Sequence, residues 1–128
     1  MSASNPPATP GLDKYSAPQW LGARANRRFH VMAKPAGSAC NLDCAYCFYL
    51  SKRVLPGGPG SGHMPDDVLE RFVKDYIDSI TADEVVFSWQ GGEPTLLGLG
   101  FFEKVVALQK KHARAGQRIE NDLQTNGT

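Results

Sequence analysis

The sequence predicts an α/β fold in which parallel strands alternate with helical crossovers. Short apolar segments of strand length alternate with two longer segments whose apolar residues recur at helical spacing. The predicted order is strand, loop, helix, strand, loop, helix, strand, which is typical of a parallel sheet. Glycine-rich or polar loops follow the strands, and sites in such sheets lie at the carboxyl ends of strands. We therefore expect these loops to meet in space.

Three segments are predicted as strands. Phe29–Lys34 is short and largely apolar, and Pro35 and Gly37 end it. Glu84–Trp89 has the nearly continuous apolar run of a buried parallel strand. Arg118–Thr125 is predicted as the third strand.

Two segments are predicted as amphipathic helices. The first begins at Pro65–Asp67, where a proline and two acidic residues suit the positive end of the helix dipole. Its predicted apolar face consists of Val68, Leu69, Phe72, Val73, Tyr76, Ile77 and Ile80. The predicted apolar face of the second helix consists of Phe101, Phe102, Val105, Val106 and Leu108. Gly116 is expected to close the second helix.

Composition limits the functional classes. The 128 residues, 41% hydrophobic and 21% charged, predict one small domain or part of a larger one. The formal net charge of +1 gives no electrostatic case for nucleic acid or an acidic membrane. No apolar run could span a bilayer, and no signal core is visible, so a reducing cytoplasmic setting is expected. Residues 1–27 are predicted to be a disordered tail, and Pro56–Gly62 a flexible connection.

All three cysteines of the chain, Cys40, Cys44 and Cys47, lie within eight consecutive residues. Thiolates are soft ligands that favour iron–sulfur clusters, zinc or copper(I). Three cysteines cannot all pair as disulfides. Four cysteines are usual for an electron-transfer cluster, so three would leave one iron of a [4Fe–4S] cluster open for chemistry.

Two other interpretations of the cysteines remain open from the residues alone. Their spacing also fits one face of a helix with inert, buried thiols, although Asn41 and Asp43 are poor interior helix residues. Zinc could use His30 or His63 as a fourth ligand, although zinc sites usually contain a second ligand pair. His30 is expected to be a strand residue, and His63 to be exposed.

Three segments together resemble the anaerobic sulfatase-maturating enzymes of the radical S-adenosylmethionine (SAM) superfamily. These are Cys40–Leu50, with Tyr46 before the last cysteine, Trp89–Leu96, with its Gly-Gly-Glu-Pro sequence, and Leu123–Thr128. The resemblance covers residues 28–128 and implies a partial (β/α) TIM-like barrel of the radical SAM type. Residues 28–128 would be the N-terminal part of that core domain.

The resemblance also implies the cofactors and their contacts. The three cysteines would hold a [4Fe–4S] cluster, and Gly91, Gly92 and Glu93 would bind the amino group of S-adenosyl-L-methionine. Glu93 is expected to present its carboxylate at the strand end, and Tyr46 to pack beside the adenine. Without the cysteines, Gly-Gly-Glu-Pro would be read equally well as an ordinary tight turn. Gln90 and residues 124–127 are expected near the same mouth, either in contact with ligand or only in packing and turns.

The implied reaction is reductive cleavage of S-adenosylmethionine, followed by oxidation of a cysteine or serine of a sulfatase to formylglycine. Its implied partners are the sulfatase polypeptide and an electron donor of the flavodoxin or ferredoxin type. Another radical SAM peptide maturase and a non-catalytic metal-binding module are the alternatives. The family's barrel has about twice as many strand–helix units. We therefore expect the 128-residue chain alone to be inactive, and we assign it no catalytic residue.

Overall fold

The fold is a three-stranded parallel sheet with two helices. The computed structural model describes residues 29–49 and 62–128. Its strands are β1 (Val31–Ala33), β2 (Glu84–Trp89) and β3 (Arg118–Leu123), and its helices are α1 (Asp66–Ser79), α2 (Leu99–His112) and a short 3-10 helix (Pro94–Leu97). The strand order is β1-β2-β3, and both pairs are parallel. The predicted α/β class with helical crossovers is therefore confirmed.

Two strands are shorter than predicted. β1 ends at Ala33 because the Lys34 carbonyl accepts a hydrogen bond from Gly37 N (2.9 Å), which makes a turn. β3 ends at Leu123, although Gln124 N still donates to the Trp89 carbonyl (3.0 Å). In both places, local hydrogen bonds of the following loop replace the regular ladder.

The hydrophobic core lies between the sheet and both helices. Its buried residues are Ala33, Leu69, Val73, Tyr76, Ile77, Ile80, Val85, Phe87, Trp89 and Val105. Two residues of the predicted apolar helix faces do not join the core, because Val68 and Val106 are 47% and 41% exposed. Val68 lines an open groove beside Phe29 and β1, and Val106 lies on an open surface of α2. Both positions are at the margin of an apolar helix face.

The opposite face of the sheet carries a row of polar side chains. His30 Nε2 lies 2.6 Å from Ser88 Oγ, and Ser88 Oγ donates to Asp122 Oδ2 at 3.2 Å. These side chains link the residue before β1 to β2 and β3. The sheet therefore has one apolar face toward the helices and one partly polar face.

The loops that follow β1 and β2 are joined by main-chain hydrogen bonds. Gly92 N donates to the Gly37 carbonyl (2.9 Å), and Glu93 N donates to the Ala39 carbonyl (2.7 Å). A Cβ atom on Gly92 would overlap the Ala39 carbonyl group. Gly91 has a φ of 120°, and a Cβ there would lie 2.8 Å from the Gly37 carbonyl oxygen. The two glycines are therefore required by conformation and close approach.

Some predicted segments lie outside the described residues. They are the predicted tail, residues 1–27, and residues 56–61 of the predicted connection Pro56–Gly62. Within 29–49 and 62–128, no helix has both the length and the apolar character needed to cross a membrane.

Replacing Leu69 by alanine should lower the free energy of unfolding by about 2–5 kcal/mol, because a fully buried side chain leaves a cavity. Leu69 is 0% exposed, whereas its neighbour Val68 is 47% exposed. Val68→Ala is therefore the matched control, with a change within about 0.5 kcal/mol. Urea unfolding followed by circular dichroism measures both, and equal losses would contradict the described packing of α1.

Replacing Gly92 by alanine should separate the two loops, because the added methyl group overlaps the Ala39 carbonyl. We expect a loss of about 1–3 kcal/mol in unfolding free energy and faster hydrogen exchange at the Glu93 amide. Gly100→Ala is the control, since a Cβ at this helical position meets open space. If the Glu93 amide exchanged at the same rate in both variants, the close approach would be refuted.

Candidate functional site

The cysteine segment is a loop at the carboxyl end of β1. Within it, a turn joins Cys47 N to the Cys44 carbonyl (2.9 Å), and no helix forms over residues 40–47. Cys40, Cys44 and Cys47 are free and partly exposed. The inert alternative required a helix with buried thiols, and the structure contradicts it.

The donor set fits a cluster better than a single ion. Within residues 29–49 and 62–128, no three side chains of His, Cys, Asp or Glu come close enough to hold one metal ion. A cubane does not require such convergence, because each thiolate binds a different iron. His30 was expected in the first strand, but it lies directly before β1, with its Nε2 2.6 Å from Ser88 Oγ. His63 is exposed, as predicted. Three free soft donors on one exposed loop therefore fit the [4Fe–4S] cluster that the sequence predicts.

Cys40 receives hydrogen-bond donors from two parts of the chain. Leu42 N lies 3.4 Å from Cys40 Sγ, and Asn126 Nδ2 lies 3.8 Å from the same sulfur. Cys40 Sγ is also 3.9 Å from Asn41 Oδ1. The loop after β3 therefore reaches the cysteine loop after β1.

The Glu93 carboxylate is enclosed by donors. Its Oε1 accepts hydrogen bonds from Thr95 N (3.1 Å), Thr95 Oγ1 (2.8 Å) and Thr125 Oγ1 (2.9 Å). Its Oε2 accepts one from Asn126 N (2.7 Å). Burial alone would raise the pKa of Glu93, but these hydrogen bonds outweigh it and lower the pKa below its ordinary value of 4.5. Glu93 is therefore a buried, ionised group that links the loops after β2 and β3.

This environment differs from the expectation that Glu93 presents its carboxylate at the strand end. The residue is 0% exposed, because the loop after β3 folds over it. In contrast, Tyr46 is 92% exposed, and its ring is free to receive a flat ligand. Gly91 and Gly92 are partly exposed beside the cysteine loop.

The aromatic residues that follow the last cysteine cover the loop only in part. Phe48 is 69% exposed and makes an edge contact with Tyr49 (centroids 5.5 Å apart). Lys34 Nζ lies 4.8 Å from the centre of the Tyr49 ring. Leu50 lies outside the described residues.

Sequence reasoning missed several polar residues that organise this edge. Thr95 and Asn41 were not singled out, and the partners of Thr125 and Asn126 were not predicted. The available signal was a cluster of short polar side chains directly after a strand, since such residues bond readily to nearby main chain. The structure brings them together with Glu93 and Cys40 at one edge of the sheet.

Comparisons with known sequences and with solved structures agree on which proteins this chain is similar to. The Radical SAM superfamily model matches residues 35–128. A serine-type anaerobic sulfatase-maturating enzyme of Bacteroides thetaiotaomicron is 48% identical over 99 residues, covering 77% of this chain and 24% of the relative. A cysteine-type enzyme of Clostridium perfringens is 48% identical over 98 residues, covering 77% and 26%. The chain thus spans about a quarter of the length of the curated relatives it matches.

A solved structure gives the same relationship in three dimensions. It is described as native anSMEcpe with bound AdoMet and Kp18Cys peptide, and it is 47% identical with a TM-score of 0.66. The match covers 77% of this chain and 25% of that one. It confirms the predicted partial barrel and the resemblance that the cysteine, Gly-Gly-Glu-Pro and Gln-Thr-Asn-Gly segments indicated. By its sequence and its fold, the chain belongs to the radical SAM superfamily.

Proposed function

We propose that this domain binds a [4Fe–4S] cluster through Cys40, Cys44 and Cys47 and binds S-adenosyl-L-methionine beside it. One observation carries the proposal. Glu93 N donates to the carbonyl of Ala39, the residue directly before the first cysteine, at 2.7 Å. The thiol loop and the Gly-Gly-Glu turn are therefore parts of one site.

Each side of the site has a separate role in the proposal. Gly91 and Gly92 hold the turn against the cysteine loop, since their missing side chains leave room for the carbonyls of Gly37 and Ala39. Their main chain would then lie beside the methionine moiety. Glu93 fixes their conformation and supplies a negative charge for the amino group. Its Oε2 accepts a single hydrogen bond among the described residues, from Asn126 N, and so has capacity for a second donor. The exposed ring of Tyr46 packs beside the adenine.

The proposed activity belongs to a longer assembly of which residues 28–128 form the N-terminal part of the core domain. When bound, the cluster supplies one electron for reductive cleavage of S-adenosylmethionine, and the resulting radical removes a hydrogen atom from the substrate. We propose a cysteine or serine of a sulfatase as that substrate. The substrate radical would then lose one electron to an acceptor in the longer assembly and one proton. This gives formylglycine directly from serine, and from cysteine after water replaces the sulfur, which leaves as hydrogen sulfide. Serine-type and cysteine-type relatives at 48% identity support this choice.

We also propose an electron donor and a cellular compartment for this protein. A low-potential electron-transfer protein of the flavodoxin or ferredoxin type would deliver the electron. Partly exposed, unpaired thiols suit a reducing setting, so we place the protein in the cytoplasm.

Anaerobic reconstitution with iron and sulfide tests the cluster assignment. We expect the chain to take up about four irons and four sulfides. After reduction with titanium(III) citrate, its electron paramagnetic resonance spectrum should change when S-adenosylmethionine is added. Cys44→Ala should abolish uptake because it removes one ligand. Ser38→Ala, which deletes a hydroxyl two residues before Cys40, is the matched control and should retain the cluster.

Two results would contradict this assignment. A full [4Fe–4S] complement in Cys44→Ala would remove Cys44 from the ligand set. Wild-type protein that binds stoichiometric zinc and no cluster would refute the proposed site as a whole.

Ionised Glu93 should make stability depend on pH, because its pKa is lowered in the folded chain. The stabilisation is fully present above the ordinary, unfolded-state pKa of 4.5 and is lost as pH falls through the lowered folded-state pKa. Glu93→Gln places an N–H group near Asn126 N and should cost about 1–3 kcal/mol at pH 7. The gap between wild type and Glu93→Gln should narrow below about pH 4.5.

Urea unfolding at several pH values measures this gap. Glu103→Gln, the same substitution at an exposed position of α2, controls for the change in net charge. A gap for Glu93→Gln that stays constant from pH 7 down to the acid transition would show that Glu93 is not ionised in its buried position.

A further inference from the structure

We propose that Asn126 sets the reduction potential of the bound cluster by donating a hydrogen bond to the Cys40 ligand sulfur. This inference rests on the proposed function and adds a role for the loop after β3. Asn126 would act as a positioning and tuning residue through the Cys40 sulfur.

The donor set around Cys40 differs from that around the other two cysteines. Leu42 N lies 3.4 Å and Asn126 Nδ2 lies 3.8 Å from Cys40 Sγ. Among the described residues, the sulfurs of Cys44 and Cys47 have no such donor. One donor belongs to the cysteine loop itself, whereas Asn126 is 86 residues away along the chain. Asn126 can act as a donor to Cys40 only if other contacts hold its side chain in place.

A closed set of hydrogen bonds fixes the Asn126 carboxamide. Thr128 N and Thr128 Oγ1 donate to Asn126 Oδ1 at 3.0 and 2.9 Å. Asn126 Nδ2 donates to Asn41 Oδ1 at 2.9 Å, and Asn41 Nδ2 donates to Thr128 Oγ1 at 2.9 Å. If the carboxamide were flipped, its NH₂ group would face the Thr128 donors. The oxygen is therefore held toward Thr128, and the NH₂ group toward Asn41 and Cys40.

The main chain of Asn126 is anchored as well. Asn126 N donates to Glu93 Oε2 (2.7 Å), and Thr125 Oγ1 donates to Glu93 Oε1 (2.9 Å). The buried carboxylate thus holds the loop after β3 against the loop after β2. Glu93 is a positioning residue for Asn126 in addition to its proposed role at S-adenosylmethionine.

The effect on potential follows from charge. Reduction adds one negative charge to the cluster and its thiolates, and an N–H group that points at a ligand sulfur stabilises the added charge. Hydrogen bonds to the sulfurs are an established means of setting such potentials. At 3.8 Å the bond is long, so we expect a small effect. Its loss should lower the ratio of reduced to oxidised cluster about threefold at a fixed solution potential, or roughly 30 mV at about 59 mV per tenfold.

The test is a redox titration of the reconstituted 128-residue chain without S-adenosylmethionine. Titanium(III) citrate supplies the electron, and electron paramagnetic resonance measures the reduced cluster. Asn126→Leu, similar in size but without a donor, should have a more negative midpoint potential than wild type. Asn126→Asp should be more negative again, because a carboxylate cannot donate and adds charge. Gln117→Leu, an amide-to-apolar change at the opposite end of β3, should match wild type.

A second measurement uses the wild-type protein and does not depend on variant folding. With asparagine labelled by ¹⁵N only in the side chain, pulsed electron paramagnetic resonance of the reduced cluster should detect a weak ¹⁵N coupling. That coupling should be weaker in Asn126→Leu, in which Asn41, whose Oδ1 lies 3.9 Å from Cys40 Sγ, is the labelled side chain that remains beside the sulfur. A midpoint potential for iron-replete Asn126→Leu equal to that of wild type would overturn the tuning role and leave the proposed function standing. So would absence of the coupling in wild type. Wild-type protein that assembles no cluster would overturn both.

Discussion

The buried carboxylate of Glu93 connects the loops on which the site depends. It accepts hydrogen bonds from Thr95 directly after it, and from Thr125 and Asn126 after β3. A carboxylate with unsatisfied oxygens would be costly to bury, whereas one with several donors can be enclosed and remain ionised. The Glu93 carboxylate therefore stabilises the Gly-Gly-Glu turn and also holds the loop after β3 beside it.

The Gly-Gly-Glu turn is also linked to the cysteine loop, by main-chain hydrogen bonds instead of side-chain ones. Gly92 N and Glu93 N donate to the carbonyls of Gly37 and Ala39, so the two loops are joined through main chain. Through Glu93 and Asn126, the three loops after β1, β2 and β3 form one hydrogen-bonded unit. A parallel sheet makes this arrangement natural, since all carboxyl ends of its strands lie on one edge. The fold thus determines where the chemistry is placed, and the loop residues determine what it is.

The sequence was most informative where burial or a fixed chemical pattern decides the outcome. The apolar run of Glu84–Trp89 gave the strand with its observed bounds, and the helical spacing of Leu69, Val73, Tyr76 and Ile77 marked the buried face of α1. Positions at the margin of an apolar face were less predictable. Val68 satisfies the same spacing, but it lies beside an open groove, and local periodicity carries no information about what covers a helix face.

Part of the site was predictable as well, because fixed sequence patterns mark its segments. The cysteine spacing, the glycines and the family resemblance identified the segments that meet at the strand ends. The environment of Glu93 was not predictable, because its donors Thr125 and Asn126 are more than thirty residues away and become neighbours only through the strand pairing. Residues 124–127 were expected near the site, but the hydrogen bond from Asn126 to Cys40 was not predictable for the same reason, since 86 residues separate them. Short polar residues after a strand indicate a turn equally well, and the contact that distinguishes these roles is a tertiary one.

The main-chain character of the bond between the first two loops has a consequence for divergence among homologues. A backbone carbonyl or amide is present whatever side chain its residue carries. The side chains of Ser38, Ala39 and Gln90 are therefore not needed for the hydrogen bonds between the two loops. The spacing of the two loops can therefore persist while the lining of the mouth changes from one homologue to another. The side chains around the mouth can vary around an anchor of constant geometry, and glycine at positions 91 and 92 is what that constancy requires.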